Sequence, residues 1–363
     1  MGPLRVLLVG PGKMGLSHGL AYARLDGFEP VGICARSIFE RTDLPRPWSA
    51  LPRFADFGEA LAETRPHVVS INTFPDTHAE YAIHALNAGA HVFVEKPLAE
   101  TVADAEAVVA AARANRRKLV IGYILRHHPA WTKLIERART LGKPLVMRMN
   151  LNQQSVGPAW TWHKNLMRTL SPIVDCGVHY VDVMCQMTGA RPVRVHAIGA
   201  RLSDEIAPDM YNYGQLQVTF DDGSVGWYEA GWGPMMSEVA FFVKDVVGPK
   251  GCVSIVAAEA GASAEAGASA SRSSDIEGHT KANALRLHHA ALRADGAFAQ
   301  ADELIPSEDE PDHDALCERE QAFLLRAIRE DLDLSDHMQD AVNSLRIVLA
   351  ADRSIRERRV VEL

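Results

Sequence analysis

Continuous apolar runs recur through the first third of the chain: RVLLVG (Arg5 to Gly10), PVGICA (Pro30 to Ala35), HVVSINT (His67 to Thr73), AHVFVE (Ala90 to Glu95) and KLVIGY (Lys118 to Tyr123). Strands that are apolar on both faces belong to a parallel sheet covered by helices on each side. The intervening HAEYAIHALNAG (His78 to Gly89) and TVADAEAVVAAARAN (Thr101 to Asn115) place apolar residues at helical spacing, with Gly89 as a stop and Thr101 as a cap. This predicts an α/β fold class: a Rossmann-type, doubly wound parallel sheet over residues 1–125.

The pattern then changes. PLVMRMNLN (Pro144 to Asn152), NYGQLQVTF (Asn212 to Phe220), SVGWYEAGW (Ser224 to Trp232) and SEVAFFVKDVV (Ser237 to Val247) alternate loosely, and DDGS (Asp221 to Ser224) is a hairpin-type turn between two of them. Residues 126–363 are therefore expected to form an α+β domain around a large, mainly antiparallel sheet, open on one face for a partner subunit. EAGASA occurs twice in succession, at Glu259 to Ala264 and Glu265 to Ala270; such small residues bury little surface, so 257–275 reads as a flexible, neutral insertion. Two helices, Asp312 to Glu330 and Ser335 to Arg353, close the chain and can pack back on the first domain, with Ser335 as a cap.

Composition narrows the function. With 363 residues, 47% hydrophobic and 23% charged, the chain suits two globular domains. A formal charge of -8 without a strong basic patch argues against nucleic-acid or anionic-membrane partners. Five widely spaced cysteines without a CxxC pattern argue against a disulfide framework or a structural zinc site and point to a reducing compartment. The first apolar segment is too short for a signal-peptide core, and no run reaches membrane-spanning length, so the expected location is the cytoplasm.

The chemistry begins at VGPGKMG, where Gly10, Gly12 and Gly15 stand in GxGxxG order between the first strand and a helix. Glycines there allow a tight turn, approach of backbone amides to a pyrophosphate, and close helix packing. At the end of the second strand the acid that would hold a ribose 2′-hydroxyl is missing; Arg36 and Ser37 stand beside the gap, which suits a 2′-phosphate. NADP is thus preferred and NAD possible, with Arg36 as a surface residue or stacked on the adenine in the alternative reading. The candidate cofactor contacts are Gly10, Gly12, Lys13, Met14, Gly15, Arg36, Ser37, Thr73, Pro75, His78, Glu95 and Lys96.

FVEKPLAET (Phe93 to Thr101) ends a strand with an acid and a base, at the sheet edge where ligands of such folds sit. In SPIVDCGVHYVDVM, Asp175, His179 and Asp182 lie four and three residues apart, so one helix would carry all three on one face, as paired chemistry or as a satisfied core cluster. Upstream, AWTWHKN (Ala159 to Asn165) offers aromatic faces and polar donors in a short loop, suited to a polyhydroxylated ring, although Trp160 or Trp162 can equally be core; Trp232 is a weaker candidate of that kind.

Taken in order, GPGKMG, HVFVEKPLAET, GYILRHHPA and SPIVDCGVHYVDVM resemble the Gfo/Idh/MocA oxidoreductases, the group of glucose-fructose oxidoreductase and the inositol dehydrogenases. The resemblance covers nearly the whole chain. It implies a Rossmann domain followed by an α/β domain whose open sheet makes homodimers or homotetramers. It implies Lys96, Asp175 and His179 as catalytic residues, and Trp162, His163, Asn165 and Asp182 as substrate contacts. One departure is RTLSPIV, where the family often has a glycine-rich stretch before the catalytic Asp. The implied activity is hydride transfer between a nicotinamide and a secondary alcohol or ketone of a small-molecule sugar, inositol or related polyol. His179 would exchange the proton, Lys96 stabilise the oxygen and Asp175 orient them. No metal is expected, since the lysine does the polarising; the adjacent histidines of RHH (Arg126 to His128) do not share a helix face. The alternatives are a catalytically silent NADP-binding sugar sensor and a ketosugar reductase.

Overall fold

The computed structural model describes residues 2–237, 243–256, 280, 282–307 and 309–363. The proposed insertion at 257–275 and part of the apolar run at 237–247 therefore lie outside the described residues. The chain divides into two compact units, Met1–Ile124 with Pro311–Leu345, and Leu125–Glu310 with Arg346–Leu363.

In the first unit the apolar runs become β1 (Leu4–Val9), β2 (Phe28–Cys34), β4 (Val68–Ile71), β5 (His91–Val94) and β6 (Leu119–Ile121), joined by the short β3 (Arg53–Phe54). All pair in parallel in the order β3-β2-β1-β4-β5-β6. The crossover helices α1 (Lys13–Arg24), α2 (Phe57–Thr64), α3 (His78–Asn87) and α4 (Val102–Ala114) explain why the strands carry no polar face. Thr101 caps α4 by accepting from the Asp104 amide, and Gly89 follows α3 in the left-handed region. At the β6 edge the Ile121 amide donates to His337 Nε2 at 2.9 Å, so the edge is not left unpaired there.

The second unit holds α5 (Pro129–Thr140), β7 (Val146–Gln154), α6 (Gly157–Leu166), α7 (Pro172–Asp175) and α8 (Gly177–Thr188). Then come β8 (Pro192–Ala200), β9 (Tyr213–Phe220), β10 (Val225–Gly233), β11 (Lys244–Gly248), β12 (Gly251–Val256), β13 (Ala284–His289) and β14 (Glu303–Pro306). The chain closes with α9 (His313–Arg329), α10 (Ser335–Glu357) and β15 (Val361–Glu362); α9 lies in the first unit, and the division between units falls within α10. The sheet has nine described strands, ordered β14-β13-β12-β11-β7-β10-β9-β8-β15, and is antiparallel except for β7 beside β10. Four of its strands show in the apolar pattern; β8, β12, β13, β14 and β15 do not. The expected loop over AWTWHKN is instead helix α6, started by Pro158 in its first turn. Asp312 caps α9 as a helix start, whereas Ser335 is itself helical and its amide donates to Asp333.

Helices cover one face of the sheet, where Gly177 in α8 lies so close to β10 that a Cβ would meet the Tyr228 ring at 2.9 Å. On the other face Val146 sits opposite Val225 and Val247, and Ile198 opposite Gln215, with Ile198 54% exposed. No described helix is long and apolar enough to cross a membrane.

Burial sets a pH dependence. Desolvation pushes His91 and His163 down to about 4 and the fully buried Lys244 down to about 7. Lys244 lies over the Tyr180 ring at 4.9 Å and donates to the Asn150 carbonyl. Each folded pKa lies below its unfolded value, so the unfolded state binds more protons and stability rises with pH, from about 4 to 6.5 for the histidines and upward from about 7 for the lysine. Buried Cys34 and Cys317, pushed up, oppose this once free thiols ionise. Denaturant titrations across pH 5 to 9 should show wild type gaining up to about 1.4 kcal/mol per pH unit over Lys244→Met above pH 7. Parallel curves above pH 7 would assign that limb to another group.

Candidate functional site

Backbone constraints build the glycine loop of the first unit. Gly10 has φ of 79°, and a Cβ on it would meet the Asn72 carbonyl oxygen at 2.7 Å; on Gly15 it would meet the Gly10 oxygen at 2.1 Å. At Gly12, by contrast, a Cβ would meet nothing within 4 Å. Helix α1 has Gly12 as its N-cap and no acid in its first turn, so its amides and positive dipole end face that space uncompensated. An anion such as a dinucleotide pyrophosphate fits this cradle, with Lys13 and Met14 opening the helix.

The other predicted cofactor residues follow the same strand ends. Arg36 and Ser37 are exposed in the turn after β2. A second arginine, Arg41, donates to the Pro11 carbonyl at 2.7 Å while pairing with Asp43; no motif announced it. After β4, the buried Asn72 donates to the Val9 and Ser70 carbonyls, and Thr73 shares a 2.7 Å hydrogen bond with Thr77 across Pro75. His78 is fully buried with Nδ1 at 2.7 Å from the Pro97 carbonyl and Nε2 at 3.0 Å from the Thr73 carbonyl. Its ring is thus engaged by the protein and ties the loop after β4 to the turn after β5, in place of the expected cofactor contact. Lys96 is half-buried at that turn, and the Glu95 before it is buried.

In the second unit, α7 and α8 meet at Cys176 and leave Asp175 and His179 partly exposed on either side of the joint. Asp182 turns inward: it is 1% exposed, and its oxygens accept from Arg126 at 2.9 and 2.6 Å and from Gln186 at 3.0 Å. Burial pushes its carboxyl above the usual range, opposed by the Arg126 guanidinium. The expected free carboxylate for substrate is therefore not what the fold presents here, because α8 is apolar nearly all round and packs on both sides. Arg126, part of the RHH stretch, is a partner that carried no sequence signal.

Helix α6 separates what the sequence set side by side. His163 is buried, whereas Trp162 (56% exposed) and Asn165 face outward, since residues one or two apart do not share a helix face. His163 stacks on Trp232, with ring centroids 4.4 Å apart and planes at 5°, and its Nδ1 meets Ser155 Oγ at 2.9 Å. The Trp232 indole donates to Gln153 Oε1 at 2.7 Å, and Cys176 Sγ lies 3.6 Å from Asp175 Oδ2 and 3.7 Å from Gln153 Oε1. Burial keeps the His163 ring neutral while Asp175 pulls the other way. Gln153, Ser155 and Cys176 had no sequence signal; the parallel pairing of Trp232 with Gln153 brings them in. Trp160 is core, donating to Glu205 at 3.0 Å.

The RTLSPIV departure is filled by side chains instead of glycines. Ser171 Oγ accepts from the Val174 amide at 3.2 Å, capping α7, and donates to Asp352 Oδ1 at 2.7 Å; the Tyr211 hydroxyl donates to the same oxygen. This buried clamp fixes the helix that ends in Asp175, and desolvation pushes the Asp352 carboxyl up.

Among the described residues, His18, Cys317 and Glu320 bring ligand atoms within 4.8 Å of one another. Both His18 nitrogens are already engaged, by Glu95 at 2.7 Å and Gln321 at 2.9 Å, and burial keeps the Cys317 thiol and the Glu320 carboxyl protonated. A metal would need those donors free and deprotonated.

Comparisons with known proteins bear on the family and the fold. Residues 4–123 match the profile of the oxidoreductase family with an NAD-binding Rossmann fold, and residues 132–253 match the GFO/IDH/MocA C-terminal domain. The 4-carboxy-2-hydroxymuconate-6-semialdehyde dehydrogenase of a Sphingobium species is 28% identical over 61% of this chain and 70% of its own length. An inositol 2-dehydrogenase of Salmonella typhimurium is 29% identical over 50% of this chain, which spans only 53% of that relative. The solved structure of an oxidoreductase from Agrobacterium radiobacter, in complex with NAD+, L-tartaric acid and magnesium, superposes with a TM-score of 0.75 at 15% identity, covering 99% of this chain and 98% of that one. The two profiles together cover most of the chain, which therefore belongs to the GFO/IDH/MocA oxidoreductase family, its first unit carrying that family's NAD-binding Rossmann fold.

Proposed function

We propose that this oxidoreductase transfers a hydride between a nicotinamide dinucleotide and a secondary alcohol or ketone of a sugar, inositol or related polyol. The observation that carries the reading is the open cradle at Gly12, facing an uncompensated helix N-terminus, on the strand edge that also ends in Lys96. Relatives named as dehydrogenases of inositol support the substrate class. Bound at the cradle, the dinucleotide supplies the hydride acceptor or donor at its nicotinamide carbon. In the oxidative direction His179 takes the hydroxyl proton, Lys96 hydrogen-bonds the oxygen as charge develops on it, and Asp175 holds the pair in orientation. His163, neutral and held by Ser155 and Trp232, offers a hydrogen bond to a substrate hydroxyl.

NADP is our preferred cofactor, because Arg36 and Ser37 follow β2 exposed where an acid would favour NAD. The exposed apolar residues Val146, Val225, Val247 and Ile198 on the outer face of the second sheet support assembly as a homodimer or homotetramer. A non-catalytic sensor has no chemical need for Lys96, Asp175 and His179 together.

Titration with NADPH and NADH, followed by nicotinamide absorbance on a panel of inositols, aldoses and ketosugars, should give turnover with at least one member. Dinucleotide binding with no turnover across the panel favours the sensor. Lys96→Ala should lower kcat roughly 100-fold or more; an intact kcat removes Lys96 from the reaction. Arg36→Ala should raise the Kd for NADPH about tenfold and leave NADH within twofold; equal effects remove Arg36 from a 2′-phosphate site.

A further inference from the structure

Glu95 is 7% exposed, and a carboxylate so buried needs fixed partners. It has two within the first unit: Oε1 lies 2.7 Å from His18 Nε2, and Oε2 accepts the Lys96 backbone N–H at 3.1 Å. His18 is fully buried on α1, tilted against the Phe93 ring with centroids 4.6 Å apart. Its other nitrogen, Nδ1, lies 2.9 Å from the side-chain Nε2 of Gln321, also fully buried, on α9. An amide nitrogen only donates, so His18 Nδ1 accepts and Nε2 carries the proton that it gives to Glu95. The donors thus run in one direction, from Gln321 to His18 to Glu95, whose second oxygen receives the Lys96 amide. A Cβ on Gly122 would sit 3.2 Å from Glu95 Oε2, so the glycine leaves the carboxylate its place beside β6.

We propose that His18 is a positioning residue for Lys96, acting through Glu95. The helix whose first turn receives the dinucleotide thereby also sets the backbone from which the lysine extends. This rests on the role proposed above for Lys96. Neither His18 nor Gln321 touches the reacting atoms; their contribution is the orientation of the Glu95 carboxylate.

The test uses the full-length protein with His18→Phe, which keeps an aromatic ring but removes the donor, and His18→Gln, whose amide can restore it to Glu95. His18→Phe should lower kcat roughly ten- to a hundredfold, the scale of a misplaced catalytic group, with the dinucleotide Kd within twofold and His18→Gln recovering most of the loss. In a Lys96→Ala background, His18→Phe should cost nothing further. Equal impairment by both substitutions, or a full additional loss in the Lys96→Ala background, would overturn the proposal. A readout independent of turnover is hydrogen exchange of the Lys96 backbone amide, followed by NMR of lysine-labelled protein: it should accelerate at least tenfold in His18→Phe and return in His18→Gln. Unchanged exchange overturns the proposal even when the substrate is unknown, so its failure and that of the proposed reaction are read separately. If His18→Phe does not fold, Gln321→Leu takes its place, with the same pattern expected at smaller amplitude and the same results overturning it.

Discussion

A parallel sheet must return each strand through a crossover, so every strand leaves its carboxyl end at one edge. In the first unit this geometry delivers the Gly10 loop, the Arg36 turn, Asn72 with Thr73, and Glu95 with Lys96 from β1, β2, β4 and β5 to the same side. The loop after β1 works only because the chain approaches itself more closely than side chains allow, and the open space at Gly12 is the counterpart of that close approach. Cofactor cradle and lysine are thus consequences of one topological constraint.

Inside that frame, polar groups are costly unless paired, and the pairing does much of the positioning. Glu95 is held by His18 and by the Lys96 amide, His78 links two loops through backbone carbonyls, and Asp182 is locked to Arg126. Asp352 gathers Ser171 and Tyr211 beneath the helix that carries Asp175. The Glu95 and Asp352 networks couple an element remote in sequence to Lys96 and to the helix that carries Asp175. Lys244 is the contrasting case, a buried cation over an aromatic ring whose lowered pKa shows what burial costs a charge.

The chemistry of the second unit is organised by helix phase. On α6 the buried His163 and the exposed Trp162 and Asn165 divide between core and surface, while the break at Cys176 lets Asp175 and His179 stay accessible above an otherwise buried helix. His163 keeps a neutral ring because burial outweighs the pull of Asp175, which suits a hydrogen-bonding role better than proton exchange.

The sequence by itself determined the doubly wound first unit, the glycine loop, the terminal helices and the place of Lys96 after a strand end, because strand and helix periods and turn residues are local signals that survive without tertiary context. It also showed the hairpin at Asp221 to Ser224 and four strands of the second sheet. Only the tertiary structure decided that α6 is a helix, that Asp182 belongs to Arg126, that His78 serves the backbone, and that Ser171 with Asp352 stands where the family's glycines often do. The last three depend on partners as far as 56, 19 and 181 residues away. A side chain's type says that it can donate or accept, but which group it meets is fixed by sheet register and helix packing, and neither is written in any short stretch of the chain.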